Sequence, residues 1–167
     1  MEELKKLEKI TSPDNRTTFF VIVNRETGQK REYRIEDLYE ELNLIELNEA
    51  VPEDVRSQFN VARNVCLYSW FCYSFHNVSC LMAYSTIEMA LRIRLGKPEH
   101  KSSLRTLLNE ALAKGLLKDK LLPEAIADLR NRAAHGSLMN GPWSVQILRL
   151  CAETINQLFT STEYTTA

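Results

Sequence analysis

The chain has 167 residues and a formal net charge of −1, with 44% hydrophobic and 26% charged residues. This length predicts one domain with a single buried core, and the composition is typical of a water-soluble globular protein. Because acidic and basic side chains nearly balance, no overall positive field attracts nucleic acid. Any contact with RNA therefore has to depend on a local patch.

The sequence predicts neither a metal site, nor secretion, nor a membrane span. Its four cysteines have no C-x-x-C spacing, so we expect buried, reduced thiols and no metal or other cofactor. The charged first ten residues do not resemble a secretory signal. The segment between Arg63 and Glu88 has no Lys, Arg, Asp or Glu, but its amides and His76 would be costly in lipid. We expect two buried helices there and a cytoplasmic protein.

Residues 1–50 are predicted to form a small α+β appendage. Residues 17–23 are β-branched and aromatic, which favours a strand, and Gly28 then supplies a turn before a second strand at 30–35. Such a hairpin needs another element to pack against. A short helix follows in residues 35–47, with apolar residues at helical spacing: Leu38, Leu42 and Ile45.

Residues 51–167 are predicted to form an antiparallel helical bundle, because short connections join successive helical patterns. Asn77 is a candidate N-cap, Gly96 and Gly136 are candidate helix ends, and Pro123 suits a first turn. The aromatic cluster of residues 68–75 is expected in the core, or on a dimer surface if it is exposed. His76 is expected to be a hydrogen-bonded core histidine. The predicted helices span residues 53–75, 77–96, 103–117, 122–136 and 142–159.

The segment LRNRAAHG, residues 129–136, concentrates polar side chains at one helix end: Arg130, Asn131, Arg132 and His135. A structural role accounts for some of them. A cationic His135 suits the negative end of a helix. Glu88 is isolated in an otherwise apolar helix and needs a partner, so we expect it to pair with Arg130 and hold it in place.

This segment, following TIEMALRIRLG on an earlier helix, resembles the HEPN superfamily of small all-α domains. Its ribonuclease members carry an arginine, four to six residues and then a histidine, commonly with a polar residue directly after the arginine. Here Asn131 follows Arg130, and four residues separate Arg130 from His135. The resemblance covers about residues 55–160 and leaves the first fifty unexplained. It implies a HEPN-like bundle, a homodimer and a bacterial defence or toxin–antitoxin setting with an antitoxin partner.

The chemistry of these residues suits metal-independent cleavage of RNA by its own 2′-hydroxyl. His135 would move protons near neutral pH, and Arg130 would stabilise the charge on the phosphorane. Asn131 would position the phosphate, and Arg132 would attract the RNA backbone. The alternatives are a non-catalytic module that binds RNA, a nucleotide or a protein, and a structural dimer in which the cluster only caps a helix.

The spacing of the motif raises a geometric difficulty. Five residues along an α-helix turn the side-chain direction by about 140°, so Arg130 and His135 do not share a face. Either His135 lies at a fraying end beside Gly136 and swings round, or two chains build the site together.

Overall fold

The computed structural model describes residues 3–97, 102–120, 122–135 and 143–160. These residues form six α-helices and one two-stranded antiparallel sheet, so the fold is mainly helical with a small hairpin, as predicted. The elements are β1 (Val21–Val23), β2 (Lys30–Glu32), α1 (Ile35–Asn43), α2 (Glu53–Tyr68), α3 (Phe75–Arg94), α4 (Leu104–Ala113), α5 (Leu122–Ala134) and α6 (Ser144–Thr160).

Helix α3 is the central element of the core. It packs mainly against α2 and α6, and also contacts α4 and α5. Ile87 and Leu91 of α3 and Leu148 and Ile155 of α6 are fully buried. Each such side chain contributes about 1.5–3 kcal/mol through the removal of its apolar surface from water. Neighbours cover α3 on several sides, so burial in protein explains part of the segment without Lys, Arg, Asp or Glu, whereas Tyr68, Phe75, Val78 and Leu81 of that segment are exposed.

The N-terminal segment shares this core. Leu38, Leu42 and Ile45 belong to the same buried cluster as the side chains of α2, α3 and α6. The guanidinium of Arg63 on α2 donates to the Leu42 carbonyl at 3.2 and 2.8 Å and satisfies the C-terminal end of α1. Asn156 of α6 bonds the main chain of Asn48 at 2.8 Å. The helix and loop therefore dock directly on the bundle.

The hairpin is shorter than predicted. Thr17–Phe19 forms a 3₁₀ turn instead of strand, and pairing begins at Val21 in a register that places Ile22 opposite Arg31. The Thr17 hydroxyl donates to the Asp14 carbonyl at 2.7 Å, a local bond that competes with strand pairing. Gly28 has a φ of +69°, which confirms it as the turn residue.

The junction between α2 and α3 differs from the prediction. Helix α2 ends at Tyr68, and α3 begins at Phe75 instead of after Asn77, so Asn77 as an N-cap is wrong. Gly96, with a φ of +66°, follows the end of α3, and the Lys97 N–H bonds the Arg92 carbonyl at 2.8 Å. This confirms Gly96 as the helix end. Pro123 lies in the first turn of α5, whereas Gly136 lies outside the described residues.

All four cysteines are free thiols, and the predicted burial is confirmed for three of them. Cys66, Cys80 and Cys151 are buried, whereas Cys72 in the α2–α3 junction is half-buried. None of the helices within the described ranges combines the length and apolar character that a bilayer crossing requires.

Candidate functional site

The predicted arginine–histidine segment occupies the last turns of α5. This helix packs on α3 and α4 and buries Ile126 and Ala133. Asn131, Arg132 and His135 are exposed, and Arg130 is half-buried. Three of the four polar side chains thus lie at the surface, and Arg130 is partly accessible.

Arg130 and Asn131 contact each other. The Arg130 Nη1 donates to the Asn131 Oδ1 at 3.2 Å, so a guanidinium and an amide are neighbours on one surface. Arg132 instead pairs with Asp128 one turn earlier, at 2.9 Å. With the Arg132 and Asp128 side chains 62% and 55% exposed, this ion pair is screened by water and contributes little to stability.

His135 directly follows α5 and keeps its helical backbone geometry. Its N–H bonds the Asn131 carbonyl at 3.0 Å, the i to i−4 pattern of an α-helix. The directions of Arg130 and His135 therefore differ by about 140°. The structure brings Arg130 and Asn131 together but leaves His135 on another side of the same helix, and the helical bond argues against a frayed His135.

Glu88 has a different partner from the predicted one. Its carboxylate accepts a hydrogen bond from Arg92, one turn later on α3, at 2.7 Å. The same Arg92 nitrogen donates to the Ser102 carbonyl at 3.1 Å, so the pair fastens the end of α3 to the start of α4. The expectation that Glu88 supports Arg130 failed because an i, i+4 partner on its own helix satisfies the carboxylate locally.

His76 is confirmed as a hydrogen-bonded core histidine. It is only 5% exposed and lies at the first turn of α3. Its Nδ1 is 2.6 Å from the Ser144 hydroxyl, and its Nε2 is 3.2 Å from the Ser69 hydroxyl. The Cys66 sulfur is 3.1 Å from the Ser144 oxygen, so these four side chains form one network among α2, the α2–α3 junction, α3 and α6.

The proton positions in this network are set by the Ser69 hydroxyl, which has a single hydrogen to donate. The Ser69 hydroxyl donates to the Cys66 carbonyl at 2.5 Å, so the His76 Nε2 has to carry a hydrogen and donate to Ser69. The Nδ1 then accepts from Ser144, and the Cys66 thiol donates to Ser144. Every polar group has a partner while the imidazole is neutral. Burial, and then the nearby Arg16 charge, lowers the pKa of His76 to about 4, which favours this neutral form.

This arrangement is structural, not catalytic. A serine nucleophile needs an unprotonated imidazole nitrogen facing its hydroxyl and a path to the substrate. The nitrogen that faces Ser69 carries the hydrogen, and Ser144, which faces the unprotonated nitrogen, is fully buried and does not line the adjoining cavity. Cys66, Ser69 and His76 lie within eleven residues of one another, whereas Ser144 is 68 residues from His76 and joins them only because α6 packs against α2 and α3. Sequence reasoning identified His76 but missed Ser69 and Ser144, because serines carry no pattern that predicts such a role.

A cavity of about 290 Å³ adjoins this network. It lies between the hairpin and α1 on one side and the α2–α3 junction and the start of α6 on the other. Its lining includes the aromatic residues Phe20, Tyr33, Trp70 and Trp143 and the acidic residue Glu41. Sequence reasoning missed this cavity, since its walls come from both ends of the chain.

The prediction of a buried aromatic cluster is wrong for its outer members. Tyr73 is buried, but Tyr68 is 56% and Phe75 39% exposed. With Val61, Val78 and Leu81 they are exposed apolar residues of α2 and α3, together called the α2–α3 face here. Val61 and Tyr68 are seven residues apart on α2, and Phe75, Val78 and Leu81 are three apart on α3, so each set lies along one side of its helix. An exposed hydrogen bond of 3.3 Å, from Gln58 to Ser85, also links the two helices. They leave these apolar side chains in water because no element of the chain covers them within the described ranges.

No grouping of three or more histidine, cysteine, aspartate or glutamate side chains suited to a metal ion occurs in the part of the chain that the structure describes. Comparison with family models, curated proteins and solved structures finds no match for this chain.

Proposed function

We propose that this protein is a homodimeric, HEPN-like endoribonuclease that cleaves RNA without a metal ion. The observation that carries the proposal is the exposed cluster at the end of α5, where Arg130 contacts Asn131 at 3.2 Å and His135 follows one turn later. A guanidinium and an amide present several donors to a phosphate. An exposed imidazole is available to RNA as a base.

The reaction uses only groups of the RNA and this cluster. His135 removes the proton of the 2′-hydroxyl, and the oxygen attacks the adjacent phosphorus. Arg130 stabilises the additional negative charge of the phosphorane. The bond to the 5′-oxygen then breaks, and this oxygen takes a proton from an imidazolium. The products are a 2′,3′-cyclic phosphate and a 5′-hydroxyl.

The helix geometry favours a site made by two chains. Because Arg130 and His135 differ in direction by about 140° on one helix, a phosphodiester contacts both more readily when each chain of a dimer contributes one of them. The α2–α3 face supplies an apolar surface for such a dimer, since exposed contiguous apolar patches are typical of protein interfaces. A bacterial toxin or defence role, an antitoxin partner and a cytoplasmic location belong to the proposal through the family resemblance alone.

The test is cleavage of end-labelled RNA in EDTA by the wild-type protein and by the Arg130→Ala and His135→Ala variants. Each variant should lose at least about a hundredfold in rate, the usual effect of removing an acid–base or electrostatic group. Arg149→Ala is the matched control, because it removes an exposed arginine from α6 and should retain activity. Mass spectrometry should find the cyclic phosphate at the new 3′ end.

Mixing the two inactive variants tests the shared site. After subunit exchange, half of the dimers contain one chain of each kind, and one of their two sites has both Arg130 and His135 intact. The mixture should recover about a quarter of the wild-type rate. No recovery in a mixture shown to exchange subunits would exclude a shared site, and equal activity of all variants would exclude the ribonuclease.

A binding module is the second candidate, and the separation of about 140° between Arg130 and His135 on one helix favours it. In a monomer, Arg130 and Asn131 would hold a phosphate together, and no histidine would lie beside it to act as a base. RNA or nucleotide binding without cleavage, weakened by Arg130→Ala but not by His135→Ala, would identify this function.

A further inference from the structure

The cavity between the hairpin and the bundle has the features of a ligand site. Its volume of about 290 Å³ is close to the lower end of small-molecule pockets. No residue of α5 lines it, so it is separate from the arginine–histidine cluster and does not depend on the ribonuclease proposal. Its floor contains Ser69 and His76, whose hydrogen bonds are described above, and this network keeps the floor rigid.

Aromatic rings form much of its wall. Phe20, Tyr33, Trp70 and Trp143 all line the cavity. The Tyr33 ring lies between two of the others, with its centroid 6.3 Å from that of Phe20 and 6.2 Å from that of Trp70. The ring planes differ by 79° for the first pair and 46° for the second, so the three rings are not stacked in parallel. Trp143, at the start of α6, is 56% exposed and stands at the rim.

The charge of the wall is negative. Glu41 is the single acidic residue among the described lining residues, and no lysine or arginine is among them. The Tyr33 hydroxyl approaches the Glu41 carboxylate at 3.4 Å, a long hydrogen bond that leaves most of the acceptor capacity of Glu41 unused. Burial, and then the Glu41 charge, raises the pKa of Tyr33.

Neighbouring positive charge is already compensated. The Arg16 guanidinium stacks on the Tyr73 ring at 4.7 Å from its centroid, outside the cavity lining. It donates twice to the Asp14 carboxylate, at 2.8 Å each. His76 is neutral in the network described above. An anion entering the cavity would therefore meet Glu41 without a compensating cation, whereas a cation would meet a carboxylate and the negative faces of aromatic rings.

We propose that this cavity binds a small organic cation, an amine or quaternary ammonium group on an apolar body. Rings and a carboxylate together recognise such groups, because the ring faces attract the charge and the apolar surface contacts the alkyl groups. A metal ion is a poor fit, since hard cations require several oxygen ligands and one carboxylate supplies too few. We therefore expect the positive charge of a ligand to affect its affinity for this cavity more than the exact shape of its apolar body does.

The experiment is calorimetric titration of the full chain with choline and with its neutral carbon isostere, in which a tert-butyl group replaces the trimethylammonium group. Choline should bind about thirtyfold more tightly than the isostere, a difference to which cation–π attraction and the carboxylate both contribute. Glu41→Gln should reduce choline affinity about tenfold and leave the isostere unchanged. Glu40→Gln, which removes a charge from the adjacent exposed position, should leave choline affinity within about twofold.

A second variant protects the test against misfolding. Trp143→Ala removes a half-exposed rim residue, so it should fold normally and still weaken choline binding severalfold. Equal binding of choline and the isostere would show an apolar pocket without charge selection and overturn the proposal. The absence of choline binding at millimolar concentrations would overturn it as well.

Discussion

Acidification should destabilise this protein through His76 well above the pH at which its carboxylates titrate. The imidazole is buried and its pKa is lowered from 6.5 to about 4, because burial disfavours the charged form. The folded state therefore binds the proton less readily than the unfolded chain does. The stabilising contribution is complete above about pH 6.5 and is lost as the pH falls toward 4.

The magnitude follows from linkage. The full shift corresponds to about 3 kcal/mol, and about 2 kcal/mol of this is lost between pH 7.5 and pH 5. Protonation would also force the Nδ1 to donate, although Ser144 already directs its hydrogen toward this nitrogen. The lowered pKa of Asp37, about 2, and that of Asp14, lowered mainly by its bond to Arg16, act only below about pH 5.

Urea unfolding of the wild-type protein and of His76→Gln, measured at several pH values between 5 and 7.5, isolates this contribution. The glutamine variant should be less stable at pH 7.5, and its deficit should shrink by about 2 kcal/mol at pH 5, because glutamine does not titrate. All other titrating groups are common to both proteins and cancel. A deficit that stays constant with pH would refute the reasoning and show that His76 is protonated inside the fold or reached by water.

Two further predictions concern the ion pairs and the helix end. In double-mutant cycles, the coupling free energy between Glu88 and Arg92, which lie 2.7 Å apart, should be about 0.5–1 kcal/mol. The coupling between Glu88 and Arg130 should be less than about 0.3 kcal/mol. A stronger coupling of Glu88 to Arg130 than to Arg92 would restore Glu88 as the support of Arg130. His135→Ala should cost less than about 1 kcal/mol in urea unfolding, because the exposed imidazole makes at most a terminal dipole contact. A loss of several kcal/mol would give His135 a structural role.

The local elements were largely predictable from the chain. The repeats of Leu38 with Leu42 and of Leu104 with Leu107 and Leu108 predict helices, and these residues are buried as expected. Glycines also report local conformation, since Gly28 and Gly96 have positive φ at a turn and a helix end. The start of α3 was predicted wrongly: the helix begins at Phe75 rather than after Asn77. The N–H groups of Phe75 and His76 bond the carbonyls of Cys72 and Tyr73, so turn-type bonds lead directly into the helix.

Periodicity and spacing by themselves determined a mainly helical bundle with a small hairpin, and placed Arg130, Asn131, Arg132 and His135 at one helix end. Tertiary structure decided which groups meet: Glu88 with Arg92, His76 with Ser69 and Ser144, and Glu41 with four aromatic rings around a cavity. The physical reason is the sequence separation over which each kind of interaction acts. Helix propensity, caps and turns act over about four residues, whereas hydrogen bonds between distant residues exist only after hydrophobic burial has chosen how the helices pack.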